Sequence, residues 1–303
     1  MNSKSLPYIS LLALIFGSTL IVSRFSVGQF ASLTYVAFRL LLASLCHVII
    51  YAASSRHVWP RDRTVWRYTP VVGVLGTAIP MSFIVASLQY QSSGVTGLLL
   101  TAAPAFTVVL AHFFLPDERM NARKAFGVVM AISGAAALVL LGESGLVDVQ
   151  EANPLGYALV IVGILAASIS TIYARLYLRD ADSFDVASVR MWTAVAVVLP
   201  IAFLVTGLDM SQASSSGYVA LLYAGIIGTF GGMLLEFNII QRFGATATAM
   251  TANLIPIVAL IGGWLFLDEK ITASMIAAMV LIVGGVTIIT LSEPDPVSEP
   301  VEI

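Results

Sequence analysis

The chain has 303 residues, 58% of them hydrophobic and 11% charged, with a mean hydropathy of +0.94. A soluble domain carries roughly 25% charged residues, so this composition excludes a protein that covers itself with a water-compatible surface and places the chain in a bilayer. The net charge of −2 gives no electrostatic footprint for nucleic acid, and the single cysteine, Cys46, excludes an intrachain disulfide.

A helix needs about 20 apolar residues to cross the hydrocarbon core. Windows of that length predict spans at 6–23, 31–53, 69–89, 95–115 and 124–141, then at 154–177, 185–206, 217–240, 245–267 and 272–292. The first follows Lys4 closely, as a signal peptide would. It runs on to about Val22 without a small-residue cleavage site and has a counterpart later in the chain, so a retained helix is expected. Asn153-Pro154 supplies an N-cap and a first-turn proline for the sixth span. The connections are short, and the acidic, proline-containing segment from Glu293 is expected to be disordered.

The second half repeats the first. Gly73-Val-Leu-Gly76-Thr77 returns as Gly225-Ile-Ile-Gly228-Thr229, with Met81, Gln89 and Pro104 returning as Met233, Gln241 and Pro256, all at an offset of 152. Arg24, Arg39 and Glu118 return as Arg175, Arg190 and Glu269 at 151, and Gly94-Val-Thr96 as Gly244-Ala-Thr246 at 150. The expected organisation is a first five-helix repeat over 1–142, an external linker over 143–153, a second repeat over 154–292 and a tail over 293–303.

Eleven of the fifteen Lys and Arg fall on one side of this plan: Lys4, Arg56, Arg61, Arg63, Arg67, Arg119, Arg123, Lys124, Arg175, Arg179 and Arg242. That side is expected to be cytoplasmic, with both termini inside a bacterial-type inner membrane. Five is an odd number of helices, so the second half enters from the opposite face. The expected fold is an all-α membrane protein of ten transmembrane helices arranged as two inverted repeats, the usual architecture of a secondary transporter.

Ile15-Phe-Gly-Ser-Thr-Leu20 in the first span resembles the opening signature of the EamA family of drug/metabolite transporters. So does the stretch from Ser92 to Gly134, whose later copy runs from Gly244 to Gly285. Both read as a helix with a central proline, an acidic turn ending in Glu, and a helix rich in small residues. The resemblance covers about residues 5–292. It implies a ten-helix carrier that exports, or sometimes imports, amino acids and related small metabolites. The chain departs from the pattern in three places: one extra residue in Leu115-Pro-Asp-Glu118 relative to Leu267-Asp-Glu269, His112 where the second copy has Trp264, and Ser168-Ile-Ser-Thr171 as a weak echo of the first-span motif.

Glu236 lies inside the eighth span, where its repeat counterpart is the apolar Ile84. A carboxylate at a helix centre costs about 2.5–3.5 kcal/mol on insertion scales, so it should face a polar cavity or a partner. It shares a helical face with Thr229 and Gly232. Two readings stand: a cavity carboxylate that binds a proton or a substrate amine, or an interfacial partner of Arg242. Arg39 and Arg190 form a symmetric pair that can hold a substrate carboxylate. Each lies close enough to its helix start to reach the interface, and that shared structural duty is favoured here. Pro104 and Pro256 are candidate hinges or static kinks, since each frees a carbonyl one turn earlier. Asn253, Gln89, Tyr90, Ser168, Thr171, Tyr173 and Trp192 complete the cavity candidates. The glycine stripe Gly225, Gly228 and Gly232 reads as close helix contact. Trp59, Trp66 and Trp264 read as interfacial anchors.

His47 and His112 are isolated, so no metal site and no cofactor is expected. No phosphate-binding loop is present to couple ATP hydrolysis, and Gly142-Glu-Ser-Gly145 does not fit a nucleophile elbow. The expectation is a secondary carrier of a small metabolite, acting as a monomer or homodimer, with an intramembrane enzyme or a channel as alternatives.

Overall fold

The structure, a computed structural model, describes residues 5–53, 58–116, 118–149 and 152–292; the tail expected from Glu293 lies outside them. Ten helices are long and apolar enough to cross a membrane: α1 (Leu6–Val27), α2 (Ser32–Ala53), α3 (Arg63–Ser87), α4 (Ser93–Phe114), α5 (Ala122–Leu140), α6 (Pro154–Tyr177), α7 (Ser183–Thr206), α8 (Ser215–Phe243), α9 (Ala245–Leu267) and α10 (Ala273–Thr290). Their starts are chemically marked. Asp62, Ser92, Asn121, Asn153, Asp182, Ser214 and Thr272 each accept a hydrogen bond from a first-turn amide, which satisfies backbone donors that a helix start leaves unpaired. Large apolar side chains such as Leu140, Leu204 and Phe266 are more than three-quarters exposed on the outside of the bundle, as lipid contact requires.

Three of the helices are irregular, two of them at corresponding places. The Gly-x-x-Gly-Thr segments of α3 and α8 widen into π-helical turns over Val74–Ala78 and Tyr223–Gly231. Such turns shift the carbonyl ladder and leave polar backbone facing inward, a feature frequent at functional sites. Helix α4 breaks at Ala102 into Ser93–Thr101 and Ala103–Phe114, which puts Pro104 in the first turn of the second segment rather than mid-helix. Its counterpart Pro256 stays inside a continuous α9. The two prolines, expected to be equivalent, therefore do different things to their helices.

Helices do not associate in lipid by the hydrophobic effect, so close packing at small residues matters most. Helices α5 and α10 meet backbone to backbone at Gly127 and Gly285. A Cβ on Gly285 would lie 2.5 Å from the Gly127 carbonyl oxygen and 2.6 Å from the Ala131 amide nitrogen, neither of which can swing aside. Gly285→Ala is expected to cost about 1–3 kcal/mol, the usual range for overpacking a filled interface, and to lower the thermal midpoint of purified protein. An unchanged midpoint would show that the helix pair separates without cost.

Around this pair lies one buried cluster that includes Leu98, Ala131, Leu138, Tyr157, Met275 and Ile282. A second, with Tyr35, Val36, Leu40, Ala194 and Val198, joins α2 to α7. Helices α1, α3, α4, α8 and α9 fill the space between. The halves are related by inversion, because equivalent contacts form twice at opposite ends of the bundle. Arg24 at the end of α1 approaches Glu269 after α9 (4.0 Å), and Arg175 at the end of α6 pairs with Glu118 after α4.

Candidate functional site

A cavity of about 370 Å³ lies midway along the bundle, where both π-turns face inward. Arg39, Arg190 and Glu236 supply its charge. The arginines do not turn to the interface as expected. Arg39 Nε donates to Thr229 Oγ1 (2.8 Å) and its Nη1 to Ser23 Oγ (3.1 Å). Arg190 Nε donates to Thr77 Oγ1, and its Nη2 to the Gly76 carbonyl oxygen (2.5 Å). Each arginine thus holds the threonine in the π-turn of the opposite repeat, so one repeat's cation is anchored by the other's backbone irregularity. A guanidinium carries more N–H donors than these bonds use; Arg39 also engages the Tyr35 hydroxyl, and both arginines line the cavity.

Glu236 has no such anchor. Its carboxylate is half-buried on the cavity wall and makes no hydrogen bond or ion pair to any described residue. The charge that acts on it is Arg190 rather than Arg242, which is exposed at the end of α8, so the interfacial pairing is not formed. The rest of the wall is mostly apolar, with Phe16, Leu20, Met81, Ile84, Met191 and Met233. Two anchored cations and one unpartnered carboxylate in an apolar chamber can hold a small solute carrying both charges and an apolar body.

Four small hydroxyl residues missed in the sequence belong to this site: Thr19, Ser23, Thr77 and Thr101. The signal for Thr77 was present in the repeated Gly-x-x-Gly-Thr. Thr101 Oγ1 donates to the Gly97 carbonyl oxygen and lies 3.5 Å from that of Ala252, the carbonyl that Pro256 leaves without its helical donor. The other expected cavity residues lie elsewhere. Asn253, counterpart of Thr101, turns away to donate to Thr287 Oγ1 on α10 (3.3 Å). Gln89 donates to Ser32 Oγ in a separate crevice near Arg24, and Tyr90 packs against Gly156. Ser168 joins α6 to α4 through Thr107 (2.9 Å), and Thr171 is exposed on α6, bonded to its own helix. Tyr173 meets the rings of Tyr68 and Tyr177 at tilted angles, and the Trp192 indole N–H is buried without a hydrogen-bond partner among the described residues. Among the described residues no group of His, Cys, Asp and Glu is arranged to hold a metal ion.

The helices close up against one another at the end carrying the inter-repeat linker. There Gly94 packs on Leu260, Gly97 on Ala259, Gly17 on Val258 and Gly262 on Ile21, drawing α1, α4 and α9 together. Residues 93–99 of α4 are all buried. Glu269 completes the closure. It accepts from Ser93 N (2.8 Å), Ser93 Oγ (2.7 Å) and Gly94 N (3.4 Å). Burial pushes its carboxyl up from the usual range, against the pull of these donors and of Arg24. The linker lies across the same closure, with Ser92 N donating to Ser144 O (2.8 Å) and Lys270 N to Gly145 O (2.8 Å).

At the opposite, arginine-rich end the helices stand in two walls. Ile9, Leu12 and Ile239 join α1 to α8, with Leu254 of α9 against them. Ala111, Leu115 and Ile172 join α4 to α6. Helix α9 packs on the first segment of α4, with at most weak contact to the second among the described residues.

These features, two inverted five-helix repeats around a charged mid-membrane cavity, define a membrane transporter. The profile of the EamA-like transporter family matches the chain twice, over residues 3–140 and 154–291, and the chain belongs to that family. It is similar to the uncharacterized transporter YoaV of Bacillus subtilis, 22% identical over 90% of this chain and 92% of the relative. An uncharacterized transporter of Archaeoglobus fulgidus is 25% identical over 88% of this chain and 91% of its own length. A probable amino-acid metabolite efflux pump of Escherichia coli is 24% identical over 68% and 71%. A solved crystal structure shares the fold with a TM-score of 0.65 and 20% identity, over 96% of this chain and 98% of that one.

Proposed function

We propose that this transporter exports a zwitterionic amino acid, or a closely related small metabolite, by alternating access. The observation that carries the reading is the Glu236 carboxylate, without a hydrogen bond among the described residues, in one mostly apolar cavity with two anchored arginines. A substrate ammonium suits Glu236, and its carboxylate suits the spare donors of Arg39 and Arg190. The cavity volume and the apolar wall suit an amino acid with an apolar side chain. The relatives named as efflux pumps for amino-acid metabolites support the same substrate class and direction.

The arginine-rich end is read as the cytoplasmic face of the bundle. Single cysteines at Arg63 and at Asp148, on a Cys46→Ala background, are expected to react with an impermeant reagent from opposite faces. In intact cells the cysteine at 148 should label and that at 63 should not. Labelling at 63 from outside would reverse the assignment.

The function itself is tested by a metabolite-resistance and efflux screen in a strain lacking related carriers. Expression should raise tolerance to at least one amino acid or its analogue and lower its intracellular level. Saturation and counterflow separate a carrier from the channel alternative, because a channel shows neither. A screen in which no amino acid or related metabolite responds would remove the substrate assignment.

A further inference from the structure

We propose that Glu118 and Glu269 are alternating latches, each closing one end of the cavity by docking on the helix start that the other repeat presents there. The inference rests on the alternating-access reading but not on the identity of the substrate. The linker end shows one latch engaged. Glu269 sits on the first amides of α4, with Ser93 N, Ser93 Oγ and Gly94 N as donors and Arg24 at 4.0 Å. A helix start offers unpaired N–H groups and the positive end of its dipole, so a carboxylate is its natural partner.

Inversion places the same parts at the arginine-rich end. Glu118 corresponds to Glu269, Arg175 to Arg24, and the start of α9 at Gly244 to the start of α4 at Gly94. Among the described contacts the arginine half of the latch is present here: Glu118 pairs with Arg175, as Glu269 approaches Arg24. The residue before α9, Gly244, has no side chain with which to cap the helix start. A side chain added at Gly244 would meet no atom within 4 Å, whereas one at Gly94 would collide with Leu260. Gly244 also holds φ at +84°, a conformation that favours glycine. The loop bearing Glu118 is one residue longer than the loop bearing Glu269, which lengthens its reach.

Closing the arginine-rich end brings α9 onto the second segment of α4 and delivers its first amides to Glu118. Opening the linker end withdraws Ser93 and Gly94 from Glu269, which keeps Arg24 as its partner. Each carboxylate therefore trades a helix start for an arginine alone, and neither is left without a partner during the exchange. Because the two latches oppose each other, weakening one must shift the population toward the state held by the other. That opposition separates a latch from a residue that only stabilises the fold.

The test uses the full-length chain with Cys46→Ala and a single cysteine replacing Met81 on the cavity wall, reconstituted in vesicles of determined orientation without substrate. An impermeant maleimide is applied to each face. Glu269→Gln should raise labelling from the linker face at least about tenfold, the effect of losing a charge-assisted hydrogen bond. Glu118→Gln should lower linker-face labelling and raise labelling from the arginine-rich face. If Glu269→Gln does not reach the membrane, Ser93→Ala leaves both carboxylates in place and should shift labelling the same way as Glu269→Gln. The proposal is overturned if the Glu118 and Glu269 variants move labelling in the same direction, or if neither moves it. Because no substrate is present, either outcome leaves the amino-acid reading to its own test.

Discussion

Glu236→Gln is expected to lower transport in reconstituted vesicles at least about tenfold, the equivalent of ~1.4 kcal/mol, while expression stays normal. Glutamine keeps the shape of the side chain and removes its charge and its titration. The loss should be large because no described residue shares this carboxylate with the solute. If Glu236 exchanges a proton against the substrate, the variant should also lose the pH dependence of net flux while still exchanging substrate for substrate. Unchanged flux and an unchanged pH profile would make Glu236 a bystander on the cavity wall.

The second large effect is expected at Arg190. Its guanidinium holds Thr77 and the Gly76 carbonyl in the π-turn of α3 while facing the cavity. Arg190→Met removes the cation and leaves that carbonyl without its side-chain donor. Truncating one side of a buried, hydrogen-bonded charge costs about 2–5 kcal/mol, so flux should fall at least about thirtyfold. Arg190→Lys restores the charge but not the fork, because a single ammonium is a point donor. It should recover only part of the flux, and a lysine variant equal to the parent would mean that charge alone matters there. Arg39, which holds Thr229 in the equivalent way, should behave in parallel.

Much of the fold could be read from the residues. Ten apolar windows gave ten helices, because length and hydropathy are what a bilayer selects, and the wandering offset near 151 exposed the duplication. The symmetric arginines and the isolated Glu236 stood out for the same reason, as charges where lipid tolerates few. What could not be read was helical phase after an irregularity. The π-turns in α3 and α8 and the break at Ala102 rotate everything beyond them, and no periodicity in the sequence marks them. Asn253 and Thr101 differ without any irregularity before them: equivalent by offset, one donates to α10 and the other lines the cavity. The partners of the charges were equally hidden. Arg39 with Thr229, Arg190 with Thr77 and Arg24 with Glu269 all join one repeat to the other, and such pairs need the inverted arrangement before they can be seen.

The central claim is that the cavity recognises both charges of a zwitterion, and competition against transport tests it most directly. Vesicles carrying the purified protein are loaded with the labelled amino acid that the efflux screen identifies, and counterflow is driven by the same compound outside. Three competitors are compared: the unlabelled amino acid, the amine lacking its carboxylate, and the acid lacking its amine. The account predicts that the full zwitterion competes at least about tenfold better than either partial analogue, and that Glu236→Gln abolishes the advantage of the zwitterion over the acid alone. Equal competition by all three, or a difference that survives in the Glu236 variant, would contradict it.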